Sequence, residues 1–498
     1  MVSKLSSREN SGKMKKGSRI QGVKDSSERP GRNKKQTFEL LNPRILGPST
    51  LSSPPVKIYF ISLGCAKNQV DSEMMLHQLT SNGFSIAQEP DEAEVVIINT
   101  CSFIESATQE SIETILEAAR LKKEGACQIL VVTGCFPQRY QERLIMQMPE
   151  VDLFLGTESF LGLTWHLQEL LTGKKKSKMI LKPDPGLWEE SHHRLLTTSP
   201  GTAYLKIAEG CSNGCAYCTI PSIRGKFRSR DPKVLVQEAQ VLAGQGIKEL
   251  ILVAQDTTAY GYDLRQSASL IDLLKKILKI KSFQWLRLLY LRPERITQGL
   301  LDLIAQEKRI CPYFDLPIQH ISDHILKAMN RPYGQKTLRG LIKKIHSKVP
   351  EAALRTTLMV GFPGERDEDF QELLQFVAET AFDHLGVFKY SPEEGTPAAG
   401  YSDQVPEEIG QRRMELLMSR QKEISLKKNQ SRISSVEPVL ISGISPESDL
   451  LIEGRTRFQA PEVDGVVFIT DGAPQTGEMV KVKITEAHAY DLVGVAVD

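Results

Sequence analysis

The spacing of apolar and polar positions changes rhythm three times along the chain. Up to about residue 55 there is no apolar period, only Ser, Lys, Arg, Gly and Pro, which reads as a tail. From Lys57 short β-rich runs alternate with helical patterns. Strands are predicted at Lys57–Ser62, 94–99, 128–133 and 151–155, and helices at 71–80, 106–123, from about Gln138, and up to Gly173. This alternation predicts a parallel sheet covered by helices. A charged, proline-containing connector over 174–198 leads to a second alternating series, with strands at 204–208, 249–254, 285–290, 313–317, 355–360 and 385–390. Six βα units in succession predict an open or partial (β/α) barrel. After a helix near 407–428 the period shortens to that of strands, near 437–441, 450–458, 465–470, 478–485 and Leu492–Val497, as in a small OB-like barrel. The expected class is α/β with a C-terminal all-β barrel. The expected divisions are a disordered basic tail (1–55), an N-terminal domain (56–173), a linker (174–198), a core with its following helix (199–431) and the barrel (432–498).

Length and composition agree with several domains: 498 residues at 40% hydrophobic content exceed one core and are not those of a mainly disordered chain. No apolar run approaches the ~18 residues of a membrane span, and residues 1–42 lack a secretory apolar region. A cytoplasmic protein is therefore expected, with its eight cysteines reduced. The net charge of +2 is a cancellation, because the tail carries +8, residues 56–431 sum to zero and the barrel carries −6. A basic tail could touch nucleic acid, although a solvated extension is the simpler reading.

The cysteines change this picture most. Cys211, Cys215 and Cys218 lie in a C-x3-C-x2-C run directly after the first strand of the second series. Three thiolates on one loop suit an iron–sulfur cluster with one open iron. A structural zinc loop is the competing reading, but zinc favours paired C-x2-C units and a fourth ligand. In the N-terminal domain Cys65, Cys101 and Cys135 each follow a predicted strand, in Ser62-Leu63-Gly64-Cys65, Asn99-Thr100-Cys101 and Thr133-Gly134-Cys135. The carboxyl edge of a parallel sheet is where such folds place their ligands, and neighbouring strands are about 4.8 Å apart, so three thiols there can share one cluster. Cys127 precedes its strand and Cys311 stands apart; both read as structural.

The C-x3-C-x2-C loop opening a (βα)6 series resembles the radical S-adenosylmethionine (SAM) superfamily. There the open iron holds SAM, and electron transfer cleaves it to a radical able to attack an unactivated C–H bond. With the second cysteine triplet and the small barrel, residues 56–498 resemble the methylthiotransferase family: an N-terminal methylthiotransferase domain, a partial (β/α)6 radical-SAM barrel and an OB-like TRAM barrel. The local strings SLGCAKNQVDSE (62–73), INTCSFIESATQES (98–111), EGCSNGCAYCTIPSIRGKFRSR (209–230) and VGFPGE (360–365) are most similar to the RimO type. That resemblance implies two [4Fe-4S] clusters, the auxiliary one on Cys65, Cys101 and Cys135. It implies two SAM molecules, one a methyl donor and one a radical source. Its substrate is the β-carbon of an aspartate in a small-subunit ribosomal protein, the twelfth, and it needs an electron donor and a sulfur donor. Family members acting on transfer RNA share the cysteines.

The resemblance also marks pocket candidates. Tyr217 matches an aromatic packed near adenine, or simply packs its loop. Arg331 matches a partner for the SAM carboxylate, or is an exposed helix-end arginine. Gly361 and Glu365, in Gly361-Phe362-Pro363-Gly364-Glu365, belong to the SAM pocket or to an ordinary βα turn. Gln255 and Gln319 end strands at the pocket edge. The sign of the barrel bears on the substrate. TRAM domains are described as RNA binders, yet −6 repels polyphosphate and complements a basic ribosomal protein, unless Arg455, Arg457, Lys481 and Lys483 share one face. Direct RNA contact is thus not required, and a zinc-stabilised RNA-binding protein is the non-enzymatic alternative.

Overall fold

The computed structural model describes residues 36–37, 55–174, 178–181, 193–265 and 268–497. The N-terminal sheet runs in sequence order: β1 (Lys57–Ser62), β2 (Val95–Thr100), β3 (Ile129–Gly134), β4 (Leu153–Leu155) and β5 (Met179–Ile180), all parallel. Every residue of β2 and β3 is buried, as expected of central strands covered on both faces. Ser85–Ile86 pairs parallel to β1 at one end, and Gln36–Thr37 pairs antiparallel to it at the other. Apart from those two residues, the disordered-tail reading lies outside the described residues, as does much of the linker.

A helix follows each of the first three strands: α1 (Ala66–Ser81), α2 (Glu105–Glu124) and the short α3 (Cys135–Tyr140). The start of α1 differs from the sequence expectation by five residues. Its first turns hold Lys67, Asn68, Gln69, Asp71, Ser72 and Glu73, all buried, so no apolar stripe marks them as helix. They serve polar contacts rather than a core: Asp71 bonds Lys206 and Arg224 of the next domain, Gln69 and Glu73 bond Thr197, and Asn68 and Ser72 tie α1 back to Leu63, Asn99 and Thr100 of its own sheet.

That neighbour is the six-stranded unit, which falls into two parallel three-stranded sheets. One holds β6 (Thr202–Lys206), β7 (Glu249–Val253) and β8 (Trp285–Leu288). The other holds β9 (Tyr313–Gln319), β10 (Ala353–Val360) and β11 (His384–Lys389). A bridge from Leu286 to Ile310 and the bond from Leu291 N–H to the Asp315 carbonyl (2.9 Å) join the halves. The short helix α4 (Ile220–Arg224) ends the cysteine loop, and the long α5 (Glu407–Gln430) packs on β11. Beyond it β12 (Val436–Ser445), β13 (Ser448–Thr456), β14 (Val467–Asp471), β15 (Met479–Ala487) and β16 (Leu492–Val497) close into a barrel in the order β12-β13-β14-β16-β15.

One apolar cluster runs through all three domains, joining Val95 and Val131 to Ile251 and Trp285 and on to Leu440 and Phe458. The barrel is further docked by charge. Glu249, fully buried, accepts from Arg287 (2.7 Å) and from Arg455 (2.8 Å), while Tyr313 donates to Asp464 (2.6 Å).

Candidate active site at two facing sheet edges

Cys65 precedes α1, Cys101 follows β2 and Cys135 opens α3, so the three thiols meet at the carboxyl edge of the N-terminal sheet. Two glycines allow the approach. Gly64 (φ 96°) has no room for a side chain, since a Cβ there would lie 2.7 Å from the Cys101 Cβ. At Gly134 (φ 97°) a Cβ would meet the Thr100 carbonyl at 2.6 Å. Asn68 fixes the loops by donating to the carbonyls of Leu63 (3.0 Å) and Thr100 (2.8 Å). The thiols feel one another. Burial, with the Cys135 and Cys65 sulfurs close by, pushes Cys101 well up, and burial also raises Cys135. Burial acts the same way on Cys65, but Lys67 and Arg224 outweigh it and hold that thiol below its usual value.

The second triplet lies at the carboxyl edge of the barrel strands. Gly210 (φ 72°) precedes it, where a Cβ would meet the Gly225 carbonyl at 2.6 Å. Asn213 donates to the Cys211 sulfur (3.2 Å) and to Asp256 (2.9 Å), and Arg292 Nη1 donates to the Cys215 sulfur (3.5 Å). Burial raises Cys211, and burial with Cys215 and Cys211 nearby pushes Cys218 up to about 12. Thiols held protonated in this way release protons when they ligate iron.

Among the described residues no three His, Cys, Asp or Glu side chains converge on a point that one metal ion could occupy. A four-iron cube presents a separate iron to each thiolate, so its ligands stand farther apart than those of a lone zinc. Both donor sets, all sulfur and three to a site, suit such a cluster.

Between the two triplets runs a buried polar link. Arg224 donates to Glu209 (3.0 Å), to Asp71 (3.2 Å) and to Asn68, and Lys206 bonds Glu209 (2.9 Å) and Asp71. Two carboxylates share two cations unequally. Burial opposes ionisation of Glu209, but Arg224 and Lys206 outweigh it and leave Glu209 well below the carboxylate range. Burial, reinforced by the charge of Glu209, leaves Asp71 raised. A second link escaped the sequence reading. Glu393, beyond β11, accepts from Arg139 Nη2 of α3 (2.8 Å) and from the Glu105 N–H that begins α2 (3.0 Å), while Arg139 Nη1 donates to the Ser102 carbonyl (2.8 Å). One core carboxylate therefore grips the elements carrying Cys101 and Cys135.

The remaining candidates divide. Arg331 donates to the Tyr217 hydroxyl (2.6 Å) and the Pro317 carbonyl (3.3 Å), and its buried Nε has no hydrogen-bond partner. Tyr217 packs edge-on to Phe362, with centroids 6.5 Å apart. Gln255 donates to Glu209 (3.0 Å) and leaves its buried Oε1 unbonded. Gln319 ends β9 in a left-handed conformation (φ 71°). Gly361 (φ 72°) approaches α5, where a Cβ would lie 3.3 Å from the Gly410 Cα. The Glu365 carboxylate turns back to the N–H groups of Gly361 and Phe362, with Arg413 behind it at 3.5 Å. Gly361 and Glu365 thus shape the turn that presents Phe362 to Tyr217.

Comparison with known proteins agrees with this anatomy. Residues 57–156 match the family described as Uncharacterized protein family UPF0004, 205–377 the Radical SAM superfamily and 434–497 the TRAM domain. Ribosomal protein uS12 methylthiotransferase RimO of Geotalea uraniireducens (strain Rf4) is 48% identical over 441 residues, 88% of this chain and 98% of its own. Its counterpart in Geobacter sulfurreducens is 47% identical over 444 residues, 89% of this chain and 99% of its own. Among solved structures, the apo form of the cobalamin-dependent S-adenosylmethionine radical enzyme OxsB is 12% identical. It covers 74% of this chain and 56% of its own at a TM-score of 0.50, a likeness of fold alone. A radical-SAM domain works with SAM and an iron–sulfur cluster, and Cys211, Cys215 and Cys218 lie together on the edge of that domain here. With relatives this similar over nearly their whole length, the chain belongs to the RimO family of radical-SAM methylthiotransferases.

Proposed function

We propose that the chain methylthiolates the β-carbon of an aspartate in ribosomal protein uS12, with one iron–sulfur cluster on Cys211, Cys215 and Cys218 and a second, auxiliary one on Cys65, Cys101 and Cys135. The observation that carries this reading is the pair of all-thiol triplets on facing sheet edges, joined through Asn68, Arg224 and Glu209. When bound, SAM and the clusters supply the one-electron chemistry that opens an unactivated C–H bond and the sulfur that replaces the hydrogen. The chain's own residues keep the two sites in register, so that an activated carbon meets sulfur at once. Arg331 and Tyr217 are the residues we assign to the SAM carboxylate and adenine, and their mutual hydrogen bond near Cys218 supports that assignment.

The barrel supports a protein substrate over RNA. Arg455 is buried on Glu249, and Arg457 donates to the carbonyls of Lys308 and Ile310, so both face the core rather than a partner. Lys481 and Lys483 are exposed, in a barrel with eleven acidic residues. Such a surface complements a basic ribosomal protein. The reaction needs an electron donor and a sulfur donor as partners and is assigned to the cytoplasm. Among the described residues no helix is long and apolar enough to cross a membrane.

The test is to incubate reduced, reconstituted enzyme with SAM and either small ribosomal subunits or transfer RNA. A methylthio mass gain on a uS12 aspartate is expected. A gain on transfer RNA alone would overturn the substrate, and zinc without sulfide in anaerobically purified protein would overturn the enzyme.

A further inference from the structure

Burying a cation is costly unless an anion accompanies it. Among the described residues the buried arginines and lysines each have a carboxylate partner, with one exception. Arg194 pairs with Glu73, Lys206 and Arg224 with Glu209, Arg230 with Glu238, Arg287 and Arg455 with Glu249, Arg292 with Glu294, and Arg413 with Asp367. Lys67 is 7% exposed, and no carboxylate among the described residues pairs with it. Its ammonium instead lies 3.4 Å from the centroid of the Tyr290 ring.

The place of this exception matters. Lys67 is two residues beyond Cys65, in the first turn of α1, whereas Tyr290 stands just past the end of β8 on the radical-SAM edge. Tyr290 is held there: its N–H donates to Asp315 (2.9 Å), its carbonyl accepts from Thr257 (3.1 Å), and its φ is 60°. The Lys67 head group therefore reaches from the auxiliary side across to the edge where the reacting carbon must sit. Other cations at this opening are engaged. Arg292 bonds Glu294 (2.6 Å), and Arg295 bonds Asp256. Arg331, on the Cys218 side, also has no carboxylate partner among the described residues, but it is the residue assigned to SAM above. Two carboxylates have to be received, that of SAM and that of the substrate aspartate, and among the described residues at this opening two cations stand without one.

We infer that Lys67 is the substrate-binding residue that receives the side-chain carboxylate of the target aspartate, so that it selects aspartate over asparagine at the modified position. This rests on the substrate reading above. A π face attracts an ammonium without neutralising it. Tyr290 would thus hold Lys67 in place while leaving its charge for the incoming carboxylate.

The experiment is a double-mutant cycle on the reconstituted holoenzyme. Purified uS12 and its variant with the target aspartate changed to asparagine are each titrated against wild-type enzyme, Lys67→Gln and Lys67→Arg, and binding and product yield are measured. A charge-assisted hydrogen bond predicts that wild-type enzyme binds the aspartate protein about ten- to a hundredfold more tightly than the asparagine protein. Lys67→Gln should erase most of that ratio, and Lys67→Arg should keep part of it. Iron content is measured on each variant so that ratios are compared at equal cluster loading. If Lys67→Gln weakens both uS12 proteins equally, the ammonium serves only the charge of the auxiliary site and the inference is overturned. If wild-type enzyme modifies no uS12 aspartate, the substrate reading fails first, and the two failures are distinct.

Discussion

The Glu393 grip is the contact on which the geometry of the auxiliary site depends most directly. Its carboxylate and the Arg139 guanidinium are each 8% exposed, so the pair is shielded from solvent. Removing one partner of a buried pair costs about 3–5 kcal/mol, because the other is left as an uncompensated charge. Glu393→Ala also removes the acceptor at the α2 N-terminus, worth about 0.3–1 kcal/mol through the helix dipole. Arg139→Ala should cost less, about 2–3 kcal/mol, since Glu393 keeps its bond to the Glu105 N–H. The two changes together should cost less than their sum, with a coupling of about 1.5–3 kcal/mol. Hydrogen exchange in the segments 101–105 and 135–140 is the direct assay. At 1.4 kcal/mol per decade, Glu393→Ala should speed exchange there about a hundredfold or more, with little change in the barrel. A looser auxiliary site should also raise SAM cleaved per product formed. Additivity within about 0.5 kcal/mol, or unchanged protection of 101–105, would refute the clasp.

Other outcomes follow from the same geometry. Cys215→Ala should abolish SAM cleavage, whereas Cys101→Ala should retain cleavage and stop methylthio transfer; product from the Cys101 variant would remove the auxiliary role. In protein stripped of iron, Cys65 should alkylate before Cys101 and Cys135, because Lys67 and Arg224 favour its thiolate while burial keeps the other two protonated. Peptide mapping after brief iodoacetamide treatment reads that order. Burial opposes the charge on Glu249, but Arg455 and Arg287 more than reverse this and hold it below the ordinary 4.5. The stability it contributes should be complete above that value and lost as pH falls through its lower folded value. Glu249→Gln should lose about 3–5 kcal/mol of barrel docking at neutral pH and flatten the acid limb of a melting-temperature profile; an unchanged acid limb would count against the Glu249 dock.

Much of this was legible in the residues, for identifiable reasons. The strands β2 and β3 are continuous apolar runs because both faces are covered, and the cysteines that follow them could be grouped by topological position although their spacing is irregular. The first turn of α1 was not legible, since a helix buried against polar partners in another domain carries no apolar period. Nor was Glu393. It lies 254 residues from Arg139 in an ordinary Pro-Glu-Glu-Gly loop, and only the fold brings the two together. The barrel's sign was readable, whereas the withdrawal of Arg455 into the interface was not, because a net charge does not say which side chains face the core.

The pattern of contacts explains why so much charge is buried between these domains. The apolar cluster they share attracts without direction, so alone it would let the N-terminal sheet slide against the core. Buried ion pairs add little net stability but are strongly directional. Here they have opposite signs and separate targets: core Arg224 reaches Asn68 and Asp71 on the helix that follows Cys65, and core Glu393 reaches the elements of Cys101 and Cys135. Two grips at different points on the auxiliary sheet restrain rotation as well as translation, which a single grip could not. The reaction proposed above, in which a short-lived carbon species would meet a sulfur atom held on another domain, would require that restraint more than added stability.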